Sequence, residues 1–146
     1  MPPPQNQRLH ALPGIDFAGY HDSGASDAPV PPITSRVYVD GSGQPDQDNT
    51  LAADLYRMQQ IDKPLVVGQS SMETCAQGTA QVLETPESRA QKLDAKIGAF
   101  LNQRGAGYLV WSWDPVDECR RKFTSGDPLN GVLLRYSTGL SARREQ

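Results

Sequence analysis

Lys63-Pro64-Leu65-Val66-Val67-Gly68-Gln69 is a short apolar run set between turn signals. Upstream of it, Leu51, Leu55, Met58 and Ile61 recur at helical spacing, with Asn49 or Thr50 placed to cap the helix. Lys63-Pro64 ends that helix, because proline offers no backbone N–H and its predecessor is pushed out of the helical region. Four apolar or small residues then follow without polar alternation. A run of this length, bounded by turn residues, reads as a buried parallel strand.

Working outward, the pattern repeats. A polar loop covers Ser70 to Glu84, and Thr85-Pro86-Glu87 opens a second helix with a hydroxyl cap, proline in the first turn and an acid beside it. Ala90, Leu93, Ile97, Phe100 and Leu101 hold helical phase, and Arg104-Gly105 suits the helix end. Gly107-Tyr-Leu-Val-Trp-Ser-Trp113 is the next strand, stopped by Asp114-Pro115. A last short helix is expected over Pro128–Arg135 with Asp127 as its cap. On the other side, Ile15, Phe17 and Gly19 alternate with Asp16, Ala18 and Tyr20, as in a strand running to His21. A long Pro/Gly-rich loop from Asp22 to about Asp48 follows, with Arg36-Val-Tyr-Val-Asp40 as an extended piece. A loop of this length is commonly functional or disordered.

The order is strand, helix, strand, helix, strand, helix. Such alternation implies parallel strands joined by right-handed crossovers. The loops after strands are long and those after helices are short, as at Asp62-Lys63 and Gly105-Ala106. In barrels built this way, the strand-to-helix loops carry the active site.

Composition narrows the function. The chain has 146 residues, a net charge of −3 and a hydrophobic content of 37%. That suits one domain or a piece of one. No basic stripe marks a nucleic-acid partner, and no apolar run approaches the roughly 20 residues needed to cross a bilayer. The start, Met1-Pro-Pro-Pro-Gln-Asn-Gln-Arg8, has no apolar core of a signal peptide. Localisation therefore stays open between a cytoplasmic protein and one whose true N-terminus lies elsewhere. Cys75 and Cys119 form no CxxC pair and have no histidine near them in sequence, so neither a metal site nor a cofactor is expected.

Three strand ends together resemble the late part of the clan A glycoside hydrolases, the cellulase and mannanase-like families of family 5 type. Asp16-Phe-Ala-Gly-Tyr-His21 resembles their sixth strand, which ends in a histidine at the sugar site. Lys63-Pro-Leu-Val-Val-Gly-Gln69 resembles the seventh, written there as Lys-Pro, apolar residues, Gly and then Glu. Gly107-Tyr-Leu-Val-Trp-Ser-Trp113 resembles the eighth, whose tryptophan floors the central sugar subsite. The resemblance implies an α/β fold, a partial parallel (β/α)8 (TIM) barrel holding strands six to eight with their helices. It spans residues 12–136, between a disordered segment 1–11 and a flexible tail 137–146. It also implies a carbohydrate partner, and either the missing N-terminal half-barrel or self-association to cover the open sheet.

The family's chemistry is retaining hydrolysis of O-glycosidic bonds in a β-linked polysaccharide or glycoside. It needs two carboxyl groups about 5–5.5 Å apart. One is a nucleophilic Glu closing strand seven, and the other an acid/base Glu closing strand four. This chain departs from both. Gln69 stands at the nucleophile position, and an amide is a poor nucleophile and a poor counter-charge to an oxocarbenium ion. The acid/base strand has no counterpart, because the first recognisable strand matches strand six. Gln69 is open to three readings: a sugar-binding pseudo-enzyme, a decayed gene fragment, or transfer of the role to Glu73. The plain alternative is a polar strand-end residue in an unrelated fold.

His21, with Tyr20 beside it, is the candidate for hydrogen bonding to substrate or to Gln69. Alternation points Tyr20 away from His21. Trp111 and Trp113 are expected to share a strand face, with Trp111 as the stacking platform for a pyranose ring. Asp22, Asp114 and Asp117 read by default as solvated loop acids. Cys75 and Cys119 lie in the loops after the implied strands seven and eight. They are either two unrelated thiols or a disulfide stapling the site's rim. A disulfide there would contribute roughly 4 kcal/mol in the chain-entropy account and imply a secreted parent.

Overall fold

The computed structural model describes residues 5–22, 51–70, 72, 74, 82–113 and 123–143. Along the chain lie α1 (Gln5–His10), β1 (Ala18–Asp22), α2 (Leu51–Gln60), β2 (Leu65–Ser70), α3 (Pro86–Asn102), β3 (Gly107–Val110) and α4 (Leu129–Arg143). The strands form one sheet in the order β1-β2-β3, and both pairs are parallel. The alternation of strand and helix expected from the sequence is thus present, with short turns where the helices feed the strands.

Each turn has a local cause. After α2, Asp62 takes a left-handed conformation (φ 53°) and the Lys63 amide donates to the Met58 carbonyl at 2.9 Å. Aspartate tolerates that region better than most residues. The Lys63 ammonium donates to the Ile15 carbonyl at 2.6 Å, tying this turn to the approach of β1. At the start of α3 the Thr85 hydroxyl accepts from the Ser88 amide at 3.2 Å, with Pro86 in the first turn. At its far end Arg104 has φ 72°, and the Gly105 amide returns to the Phe100 carbonyl at 3.0 Å. A Cβ at residue 105 would run into the Phe100 ring, so glycine here reflects close approach. Asp127 caps α4 as expected, accepting from the Leu129 amide at 2.9 Å. Its other carboxylate oxygen pairs with the buried Arg89 of α3.

The core lies on one side of the sheet. Ala18, Leu65 and Val67 are buried against Leu51, Leu55 and Met58 of α2 and Phe100 of α3. A second cluster, with Leu93 and Ile97 of α3, Phe123, and Leu129 and Val132 of α4, joins the two helices. The alternate sheet residues Gly19, His21, Gly68 and Leu109 are exposed. This corrects one expectation. Among the described residues, helices cover Leu65–Gly68 on one face only, and Gly68 is exposed.

The boundaries also differ from expectation. α1 forms inside the segment expected to be disordered, and the Gln7 side-chain Nε2 donates to the Arg57 carbonyl of α2 at 3.2 Å. β1 begins only at Ala18, because the chain turns at Gly14 (φ 86°) and β1 starts bonding where the Ala18 amide meets the Pro64 carbonyl at 2.9 Å. β3 ends at Val110 rather than Trp113. α4 continues to Arg143, into the stretch expected to be a flexible tail, and its Tyr136 hydroxyl donates to the Asp94 carboxylate of α3 at 2.9 Å. Among the described residues, no helix is long and apolar enough to cross a membrane.

Candidate functional site at the strand ends

The site is built by an irregularity in β2. Tyr20 pairs with Val67, but the next residue, His21, pairs with Gln69 and skips Gly68. On the other side, Val67 pairs with Tyr108 and Ser70 with Val110, three residues of β2 against two of β3. β2 therefore holds one extra residue. In a regular strand, Val67 and Gln69 would share a face and Ser70 would take the other. Here Val67 and Ser70 are both buried, Gly68 is exposed and Gln69 is half-buried. The bulge reverses the alternation and brings Gln69 into register with exposed His21. The His21 ring lies across Gly68, and a Cβ on that glycine would touch imidazole atoms Cδ2 and Nε2 at 4.0 Å.

Trp111 follows β3 directly. Its amide donates to the Ser70 carbonyl at 2.7 Å, and the residue is 55% exposed. The Trp111–Ser112 peptide is cis. Trp113, also exposed, joins Phe123 through an isolated parallel bridge rather than continuing β3, so the two tryptophans do not share a regular strand face. His21, Gln69 and Trp111 thus stand at the same carboxyl ends of three adjacent parallel strands, where α/β sheets place ligands. Tyr20 is partly buried against the core cluster on the helix side. Burial, with the charges of Asp22 and Asp54, raises its hydroxyl pKa above the ordinary tyrosine value. A cavity of about 400 Å³ runs along the β1 edge, lined by His10, Tyr20, His21, Asp54 and Met58 among others.

Asp22 is not a solvated loop acid. It is 8% exposed and forms an ion pair with Lys96 of α3. The same carboxylate oxygen accepts from the Tyr108 hydroxyl at 3.1 Å and faces the Ser70 hydroxyl at 3.5 Å, while the two hydroxyls lie 2.7 Å apart. Strand alternation carries Asp22 to the face opposite His21, and the lysine makes burial of its charge tolerable. Burial, reinforced by the Asp22 charge and opposed by the Ser70 hydrogen bond, pushes the Tyr108 hydroxyl well above its usual range. This cluster was missed in the sequence. Lys96, three residues after Leu93 and four before Phe100, sits on the apolar stripe of α3, and a lysine there signals a buried partner.

Chemically, the carboxyl ends of the three strands offer an imidazole, an amide and an indole. These can hydrogen-bond and stack on a sugar. Asp22, the strand-end carboxylate nearest to them in sequence, is committed to Lys96. Glu73, Asp114, Asp117, Cys75, Cys119 and the 36–40 segment lie outside the described residues, so the transferred nucleophile, the loop acids and the disulfide do too. Among the described residues, no cluster of histidine, cysteine or acidic groups is arranged to hold a metal ion.

An α/β unit of parallel strands, with helices on one face and polar and aromatic residues at the carboxyl ends of the strands, is the fold and site that the chain defines. Its fold is similar to two solved structures from Thermotoga petrophila. One is its endo-β-1,4-mannanase, with a TM-score of 0.57 and 12% identity, covering 91% of this chain and 28% of that one. The other is the hyperthermostable endo-1,4-β-D-mannanase of strain RKU-1 with maltose and glycerol. It has a TM-score of 0.56 and 14% identity, and covers 92% of this chain and 36% of that one. The likeness is distant, and the chain spans about a third of their length. No protein-family model matches the chain, and no curated protein matches it by sequence.

Proposed function

We propose that this chain forms the strand-six-to-eight part of a glycoside hydrolase-type (β/α)8 barrel, its open face being part of the barrel interior. The parent activity is hydrolysis of O-glycosidic bonds in a β-linked polysaccharide, with a β-1,4-mannan as the first substrate to test. The supporting observation is the register pairing of His21 with Gln69 on the uncovered face, beside exposed Trp111. In this reading Gln69 holds the nucleophile's place, His21 positions the sugar and Trp111 stacks beneath it. Tyr20 supports the β1 end from the helix side, and Trp113 borders the same mouth.

Gln69 favours a second reading, a carbohydrate-binding protein without turnover. An amide retains the hydrogen bonds of a carboxylate but not its charge. In either case the chain on its own binds sugar and does not cleave it. Titration with a β-1,4-linked manno-oligosaccharide, read by tryptophan fluorescence and by reducing-end release, tests this. The expected result is saturable quenching that Trp111→Ala abolishes, with no new reducing ends. Unchanged fluorescence at millimolar sugar would exclude the binding role. Cleavage appearing with Gln69→Glu, once the chain is joined to a half-barrel carrying the acid/base Glu, separates the hydrolase reading from the binding-only one.

A further inference from the structure

We infer that Asp22, Ser70, Tyr108 and Lys96 form a positioning network whose task is to keep the β2 bulge in place and so hold Gln69 beside His21. The inference rests on reading His21 and Gln69 as one site, and adds the means by which the fold assembles it.

The extra residue of β2 has to be secured from somewhere. On the open face, no described residue covers it, and Gly68 and His21 are exposed. On the buried face, Ser70 is 1% exposed and its hydroxyl meets Tyr108 at 2.7 Å and the Asp22 carboxylate at 3.5 Å. These contacts need residue 70 to face the helices. With Val67 also facing them, residues 68 and 69 are both displaced toward the open face. Without the bulge, Ser70 would turn outward and Gln69 inward, into a wall made by Val67, Tyr108 and Phe100. The network therefore selects between two registers of one strand.

The rest of the cluster suits that role. Asp22 is the register partner of Ser70, so the carboxylate clamps β1 and β2 at the same level. Tyr108 reaches in from β3, and its ring meets Phe100 edge-on at 5.8 Å. Lys96 brings α3 onto the same carboxylate. Three strands and one helix thus converge on one oxygen atom directly behind the His21–Gln69 pair. The Trp111 amide on the Ser70 carbonyl ties the third site residue to the same strand end.

The test reads the juxtaposition itself, independently of sugar. In the full chain carrying Gln69→Glu, the new carboxylate beside His21 should raise the imidazole pKa by about 1 unit, followed by NMR of the ring protons. His10, which lines the same cavity with Tyr20 and Asp54, is told apart by a His10→Gln control. Adding Ser70→Val should abolish the rise, and Ser70→Thr, which keeps the hydroxyl, should retain it. Tyr108→Phe serves as the second network variant should Ser70→Val fail to fold, and should diminish the rise. A full rise persisting in folded Ser70→Val and Tyr108→Phe proteins would overturn the positioning role while leaving the sugar-site reading standing. No rise in Gln69→Glu alone would overturn both, because the two residues would not be neighbours.

Discussion

Lys96→Met tests the buried cluster most severely through stability. The substitution keeps an apolar stem of similar reach and removes the ammonium group. The paired side chains are 6% and 10% exposed, so the contact belongs with buried ion pairs rather than surface ones. An exposed pair is worth about 0–1 kcal/mol. Stranding one partner of a buried pair costs about 3–5 kcal/mol. Against a total stability of about 5–15 kcal/mol for an ordinary domain, that is a large share. With a urea dependence of about 1.5–2 kcal/mol per molar, the unfolding midpoint should fall by about 2 M. Pairing Lys96→Met with Asp22→Asn should recover most of the loss. The amide still accepts from Tyr108, and no unpaired charge stays buried. Urea unfolding of the wild type, the two single variants and the double variant, followed by circular dichroism, gives the coupling directly. A loss below about 1 kcal/mol in Lys96→Met would refute the reasoning, since it would place the pair in solvent.

Two further outcomes follow from the same architecture. The Tyr108 hydroxyl titrates higher in the folded chain than in the unfolded one, so above about pH 10 the unfolded state releases its proton first and stability falls as pH rises. Tyr108→Phe should remove up to about 1.4 kcal/mol per pH unit of that alkaline loss, leaving a residual slope from Tyr20; identical slopes in urea melts above pH 10 would contradict it. Gly105→Ala should cost about 1–3 kcal/mol, because its methyl group meets the Phe100 ring, whereas Gly14→Ala meets no neighbouring atom and pays only for its positive φ; thermal melts of the two variants compare them.

Much of this fold was legible in the sequence because it rests on local rules. The α3 cap is a hydroxyl–proline–acid triplet, and its core stripe keeps strict helical spacing from Ala90 to Leu101. The Lys63-Pro64 break and the Val-Val run likewise needed no tertiary knowledge. The misreadings came from tertiary effects. Alternation placed Trp111 and Trp113 on one strand face, but β3 ends at Val110. Asp22 looked like a loop acid because its partner, Lys96, lies far along the chain. Helix α1 and the continuation of α4 beyond Arg135 were hidden because they are held by contacts with α2 and α3 rather than by strong periodicity. The bulge had no local signal beyond Gly68. Only the register on both neighbours shows that Gln69 and Ser70 exchange faces.

We propose that His21, Gln69 and Trp111, at the carboxyl ends of three parallel strands, together receive a sugar. A heteronuclear NMR titration of the full chain with a β-1,4-linked manno-oligosaccharide tests it most directly. The account predicts saturable shifts at the His21 ring, the Gln69 side-chain amide and the Trp111 indole, with Tyr136 on the helix side unmoved. Shifts confined to the helix side, or none at millimolar sugar, would contradict it.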